Sequence, residues 1–250
     1  MAAHICIGTS GYNYRHWWSG VFYPGEMPQK QWLEYYARHL SSVELNVTFY
    51  RLPDTSVFRS WRARTPPSFT FAIKGSRYLT HIKRLKDCRE PLARFVRNAS
   101  ALKEKLHVVL WQLHPRMVAD LVRLAAFCDL LSSSAAARRI RHAFEFRHES
   151  WFCEEVYNLL REHTCALCIA DSPHWPRREI VTADSVYLRF HGGERLCGSN
   201  YADEELMEWA AKARTWLNEG NDVYAYFNND AQGFAVRNAL RLRELIARKR

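Results

Sequence analysis

The chain has 250 residues, 48% of them hydrophobic, enough to bury a large core in one barrel-sized domain or two small ones. No run approaches the roughly 18 apolar residues of a membrane span, and MAAHICIGTS passes into a strand-like segment without a secretory signal, so a cytoplasmic protein with no membrane partner is expected. The 36 basic residues against 26 acidic ones give a formal charge of +10, which favours an anionic partner, a small molecule or a nucleic acid, although a solvated basic face gives the same count.

In chain order, eight short runs read as strands: HICIG (4–8), SVELNV (42–47), FTFAI (69–73), LHVVLWQ (106–112), HAFEF (142–146), ALCIA (166–170), SVYLRF (185–190) and DVYAYFN (222–228). After the first, the loop GTSGYNYRHWWSGVFYPG carries Tyr12, Tyr14, Trp17, Trp18, Phe22 and Tyr23. Such a loop suits stacking on a base or sugar ring, or folding on its own hydrophobic cluster. Pro28 fits a first helical turn, with Trp32, Tyr35, Tyr36 and Leu40 along one face beyond it. Around the second run, Val43, Leu45, Val47 and Phe49 alternate with Glu44, Asn46 and Thr48, which extends the strand reading through SVELNVTFY. The stretch from Gly75 to Asp87, with Arg77, His81, Lys83 and Arg84, is a candidate rim or lid. SPHWPRREIVTAD, after the sixth run, holds two prolines and little room for a helix, so one unit is expected to be irregular. Asp203 is read as the cap of a helix placing Leu206, Trp209, Ala213 and Trp216 on one stripe, closed by Gly220.

Eight strands alternating with helices, with no Gly/Ser-rich linker, fit a single (β/α)8 TIM-type barrel over residues 1–250 better than a doubly wound sheet. GTSGYN falls short of the G-x-G-x-x-G phosphate loop, and no cofactor is expected.

In a barrel, one face of each strand looks inward, and here the inward candidates are polar. They are Glu44, Asn46, Lys74, Glu145, Arg147, Arg189, His191 and Asn228, with Gln112 and Asp171 at the ends of the fourth and sixth strands, concentrated at the carboxyl ends where barrel enzymes assemble their sites. Guanidinium forks on Arg147 and Arg189 suit a phosphate or carboxylate, while Glu44, Lys74, Glu145 or Asp171 suits proton transfer. The competing reading is a self-neutralising ion-pair network filling the barrel. His148, His191, Glu145 and Asp171 offer nitrogen and oxygen donors, but no H-x-H, H-E-x-x-H or D-x-D spacing is present, and no bound metal is expected. Seven cysteines, an odd number, argue against a disulfide framework, and Cys165 and Cys168 fall on opposite faces of one strand.

IGTSGYNYRHWW with GVFYP, VELNVTFYRLP, FAIKGS with LTH, WQLHP, FEFRHESW, YLRFHG, and YAYFNND with GFAVRNAL together resemble the YecE-like family, domain of unknown function 72. The resemblance implies a TIM-type barrel and no particular reaction. It marks Gly8, Ser10, Glu44, Asn46, Lys74, Gln112, Glu145, Arg147, Asp171, Arg189, Asn228 and Asn229 as suspected site residues. The leading expectation is an enzyme acting on an anionic, phosphate-bearing substrate, with a hydrolase or phosphoesterase-like activity. A non-catalytic nucleic-acid binder using basic outer helices, and a metal-dependent isomerase or hydrolase, are the alternatives.

Overall fold

The structure is a computed structural model that describes residues 3–18, 20–193 and 195–247; the last three residues of the basic tail lie outside the described residues. Each predicted run contributes a strand: β1 (Ile5–Thr9), β2 (Ser42–Leu45), β3 (Thr70–Lys74), β4 (Leu106–Gln112), β5 (Arg141–Glu145), β6 (Ala166–Asp171), β7 (Ser185–Phe190) and β8 (Asp222–Phe227). All pair in parallel, in the order β1-β8-β7-β6-β5-β4-β3-β2. A parallel bridge between Ser10 and Glu44 brings β1 beside β2 and nearly closes the ring, giving a TIM-type (β/α)8 barrel. Gly8 sits where the two ends meet: a Cβ there would lie 2.0 Å from the Ser42 carbonyl oxygen.

Helices α1 (Trp32–His39), α2 (Val47–Tyr50), α3 (Thr55–Ala63), α4 (Arg89–Ala99), α5 (Leu121–Ser133), α6 (Glu154–Glu162), α7 (Asp203–Asn218) and α8 (Phe234–Ala247) connect the strands. Period two divides each strand between two cores. On β7, Val186, Leu188 and Phe190 pack outward with the helices, while Tyr187 joins Cys6, Ala72, Leu110, Ala143, Cys168 and Tyr226 in the lumen. Small residues on most strands leave room for the rings of Tyr187, Tyr224 and Tyr226, so the barrel is plugged below its carboxyl end.

Two local expectations change, and a third reading, open between two alternatives, is decided. First, β2 stops at Leu45, and Val47–Tyr50 form a helical turn instead of continuing the strand. Thr48 anchors the turn: its single hydroxyl proton lies within reach of the carbonyls of Lys74 (2.6 Å) and Leu45 (2.9 Å), and the shorter contact ties the turn to the end of β3. Second, α7 is capped from inside, by Glu205 Oε2 accepting from the Ala202 N–H at 2.8 Å, while Asp203 lies in the first turn and pairs with Arg241. Third, the aromatic loop folds on itself: Trp17 and Tyr23 are fully buried, stacked on Tyr36 and Trp32 respectively. The proline-bearing segment between β6 and β7 contains no helix, as its two prolines require. Cys165 lies in the outer core and Cys168 in the lumen, both as free thiols. Among the described residues, no helix is long and apolar enough to cross a membrane.

Candidate active site

Glu44 on β2, Glu145 on β5 and Arg189 on β7 all turn into the barrel near the carboxyl ends of their strands, and they meet. Arg189 grips Glu44 with a bidentate fork, Nε to Oε2 at 3.1 Å and Nη2 to Oε1 at 2.7 Å, and reaches Glu145 Oε2 with Nη1 at 2.6 Å. Nη2 also lies 3.3 Å from Ser10 Oγ, so four of the five N–H groups of the guanidinium meet oxygens, while the second hydrogen of Nη1 faces His191 Nε2 at 3.4 Å. Glu44 accepts further bonds from Ser10 Oγ and Tyr187 OH, each at 2.7 Å. Glu145 accepts from Gln112 Nε2 at 2.9 Å and Arg147 Nε at 3.0 Å.

Burial disfavours ionisation of both carboxyls, yet Arg189 and the surrounding donors outweigh it, holding Glu44 below the usual carboxylate range and Glu145 well below it. This corrects the expected roles. Arg189 spends four of its five N–H groups on Glu44, Glu145 and Ser10 and is fully buried, which leaves little for a substrate anion, and Glu44 and Glu145 are ionised and heavily hydrogen-bonded, unsuited to delivering or accepting a proton. Two carboxylates facing Arg189 and Arg147 also cancel in charge, so this layer is the self-neutralising network that forms the floor of the site.

Lys74, at the end of β3, stands outside that balance. Its side chain is only 8% exposed. Nζ lies 4.2 Å from the centroid of the Phe49 ring, and among the described residues no oxygen accepts a hydrogen bond from it. Burial, and next the positive charge of Arg189, push its pKa down to about 7, against the pull of Glu145 and Glu44. An amine in this position is substantially neutral at physiological pH, with its lone pair unoccupied.

Arg147, just beyond β5, uses only Nε on Glu145; among the described residues nothing accepts from Nη1 or Nη2. Its guanidinium lies 4.3 Å from the Trp175 ring centroid. His81 packs on Phe49 at 4.9 Å and on His114 at 5.2 Å. Burial, then His114, Lys74 and Arg147, push its pKa down to about 4, which leaves an uncharged imidazole at neutral pH. Asn46 donates Nδ2 to the Ser10 carbonyl at 3.1 Å, but its buried Oδ1 has no partner, and neither does the buried Nε1 of Trp175. Among the described residues, Lys74 Nζ, the Arg147 amino groups and these two atoms lack a protein hydrogen-bond partner, as does the buried Asn229 Oδ1 beyond β8.

The remaining expected residues divide. His191 is buried, with Nε2 3.6 Å from Glu145 Oε1 and Nδ1 3.1 Å from Asn228 Nδ2, so both flank the site. Asn229 is drawn elsewhere, donating to Asn238 Oδ1 on α8 at 2.8 Å and to the Ser199 carbonyl at 3.0 Å. Asp171 shares the outward parity of Leu167 and Ile169, where it accepts from Tyr201 OH at 2.8 Å and Arg177 Nη1 at 2.6 Å. It therefore faces away from the lumen and is engaged by Tyr201 and Arg177 instead of by the Arg189 cluster. Among the described residues, no group of three His, Cys, Asp or Glu side chains is placed to hold a metal ion. Phe49 and Trp175, which flank the two unsatisfied cations, were not anticipated. Phe49 was hidden by the strand reading, and Trp175 lies in the irregular connection where no periodicity operates.

A family model described as "Protein of unknown function DUF72" matches residues 6–250, and the chain belongs to that family. The curated UPF0759 protein YecE of Escherichia coli K12 is 27% identical over 213 residues, 74% of each chain. A DUF72 family protein from Thermotoga maritima superposes with a TM-score of 0.86 at 30% identity, covering 98% of this chain and 100% of its own. Another, from Enterococcus faecalis, gives a TM-score of 0.78 at 20% identity over 99% of both chains and speaks to the fold alone.

Proposed function

We propose that this DUF72 chain is an enzyme acting on an anionic, phosphate-bearing substrate at the carboxyl-end mouth of its barrel. Arg147 holds the anion through its two free amino groups, and Lys74 is the group that changes protonation state during turnover. The observation that carries this reading is the contrast within one cluster: a charge-balanced, saturated floor, and above it an amine and a guanidinium with donors to spare. Beside them the buried Asn46 Oδ1 and Trp175 Nε1 have no protein partner, which is reasonable where a ligand supplies the missing contacts. A screen of inorganic phosphate, small phosphate esters and short oligonucleotides by thermal shift tests it. Binding is expected to raise the Tm of the wild type and to fall at least about tenfold in affinity in Arg147→Ala, the loss of one charge-assisted contact. Equal affinity in wild type and variant for every ligand found would overturn the reading.

One observation favours a second reading, non-catalytic nucleic-acid binding: Arg59, Arg62, Arg97 and Lys103 line one groove on the outside of α3 and α4. That reading expects oligonucleotide affinity to fall with salt and with Arg97→Glu, and to be indifferent to Arg147→Ala.

A further inference from the structure

Lys74 is one of eight lysines among the 36 basic residues of the chain. A general base must pass its proton on, yet no protein oxygen touches Lys74 Nζ among the described residues. A nucleophile needs an open lone pair and a place for the positive charge that follows attack. Both are present: the Phe49 face lies 4.2 Å from Nζ, and the ionised Glu145 and Glu44 are close enough to act on the amine's charge. Arg147 adds an anion clamp at the same mouth.

We propose that Lys74 is a Schiff-base lysine, and that the substrate is a phosphorylated aldehyde or ketone captured as an imine at its carbonyl carbon. This rests on the reading of Lys74 and Arg147 above and adds the electrophile. In the step, the neutral amine attacks the carbonyl carbon, a C–N bond forms, and the carbonyl π pair moves to oxygen. Transfer of the nitrogen's proton to that oxygen gives the carbinolamine. The C–O bond then breaks, and the hydroxyl leaves as water with one proton from solvent, giving the cationic iminium. Nothing is oxidised or reduced.

The experiment uses the full chain at pH 7 with glycolaldehyde phosphate or unphosphorylated glycolaldehyde, each with cyanoborohydride to trap any imine, followed by peptide mapping of the lysines. With an open lone pair beside the Arg147 clamp, Lys74 should be labelled at least about tenfold faster than Lys30 or Lys86, despite its burial. The phosphorylated aldehyde should react the faster of the two. Equal labelling of Lys74 by both aldehydes would keep the imine and overturn the phosphate reading. If Lys74 is not labelled, while inorganic phosphate still stabilises the wild type more than Arg147→Ala, the Schiff-base inference falls and the anion site stands. Absence of both labelling and phosphate binding would overturn both.

Discussion

Two lysines are buried in this barrel to a similar degree, Lys74 with 8% and Lys105 with 5% of its surface exposed, and their surroundings are opposite. Lys105, at the amino end of β4, donates to the carbonyls of Arg62 (2.8 Å) and Thr65 (2.6 Å) and to Thr65 Oγ1 (2.9 Å). Its three N–H groups are satisfied, so it fastens the connection between α3 and β3 to the barrel floor. Lys74, at the carboxyl end of β3, has an aromatic face and no oxygen. The guanidiniums repeat the contrast: Arg189 places four of its five N–H groups on oxygens, while among the described residues Arg147 uses one. Burial alone therefore does not distinguish these cations; the number of their donors that meet protein acceptors does.

The contrast can be broken by substitution. The largest effect belongs to Arg189→Met, which leaves Glu44 and Glu145 buried without their shared cation and should cost about 3–5 kcal/mol by urea denaturation. A loss below about 1 kcal/mol would show that the floor is not held by this ion pair. Next, Lys105→Met strands three acceptor oxygens and should cost about 2–3 kcal/mol, whereas Lys74→Met removes no hydrogen bond and should be neutral or stabilising near neutral pH. Equal losses for the two lysines would erase the distinction.

The two also differ with pH. Lys74 has its pKa lowered from 10.5 to about 7 on folding, so below pH 7 it is charged in both states and its burial penalty is full. As pH rises through 7, the folded protein gives up the proton while the unfolded chain keeps it, so stability rises with pH until the unfolded lysine also titrates near 10.5. Wild type should therefore gain about 1–2 kcal/mol on Lys74→Met between pH 7 and 9, measured as the difference between their denaturation curves. A flat difference would contradict the lowered pKa. The smallest effect on stability belongs to Arg147→Ala, about 1 kcal/mol or less, because Glu145 keeps Arg189 and Gln112; its consequence should appear in anion binding instead.

The alternation of apolar and polar residues made all eight strands legible, and with them the inward placement of Glu44, Lys74, Glu145 and Arg189, because parity is a local property. Which of those groups are saturated was not legible, since the partners of Arg189 come from positions 10, 44, 145 and 191, joined only by closure of the ring. Asp171 was misassigned for a simpler reason. It ends β6 at the right height but is an odd number of residues from the lumen-facing Cys168, so parity turns it out to Tyr201. The helical turn at Val47–Tyr50 escaped because VTFY alternates like a strand, and only the long-range bond from Thr48 to the Lys74 carbonyl selects the turn. That turn is what places Phe49 against the amine.

The most direct test of the account is the titration of the lysine side chains by NMR in the folded, uniformly labelled protein. One resonance, assigned to Lys74 by its loss in Lys74→Met, is expected to titrate with a midpoint near pH 7. A Lys74 midpoint near 10 would mean that the amine is charged and paired at neutral pH, and would contradict its role as the reactive group.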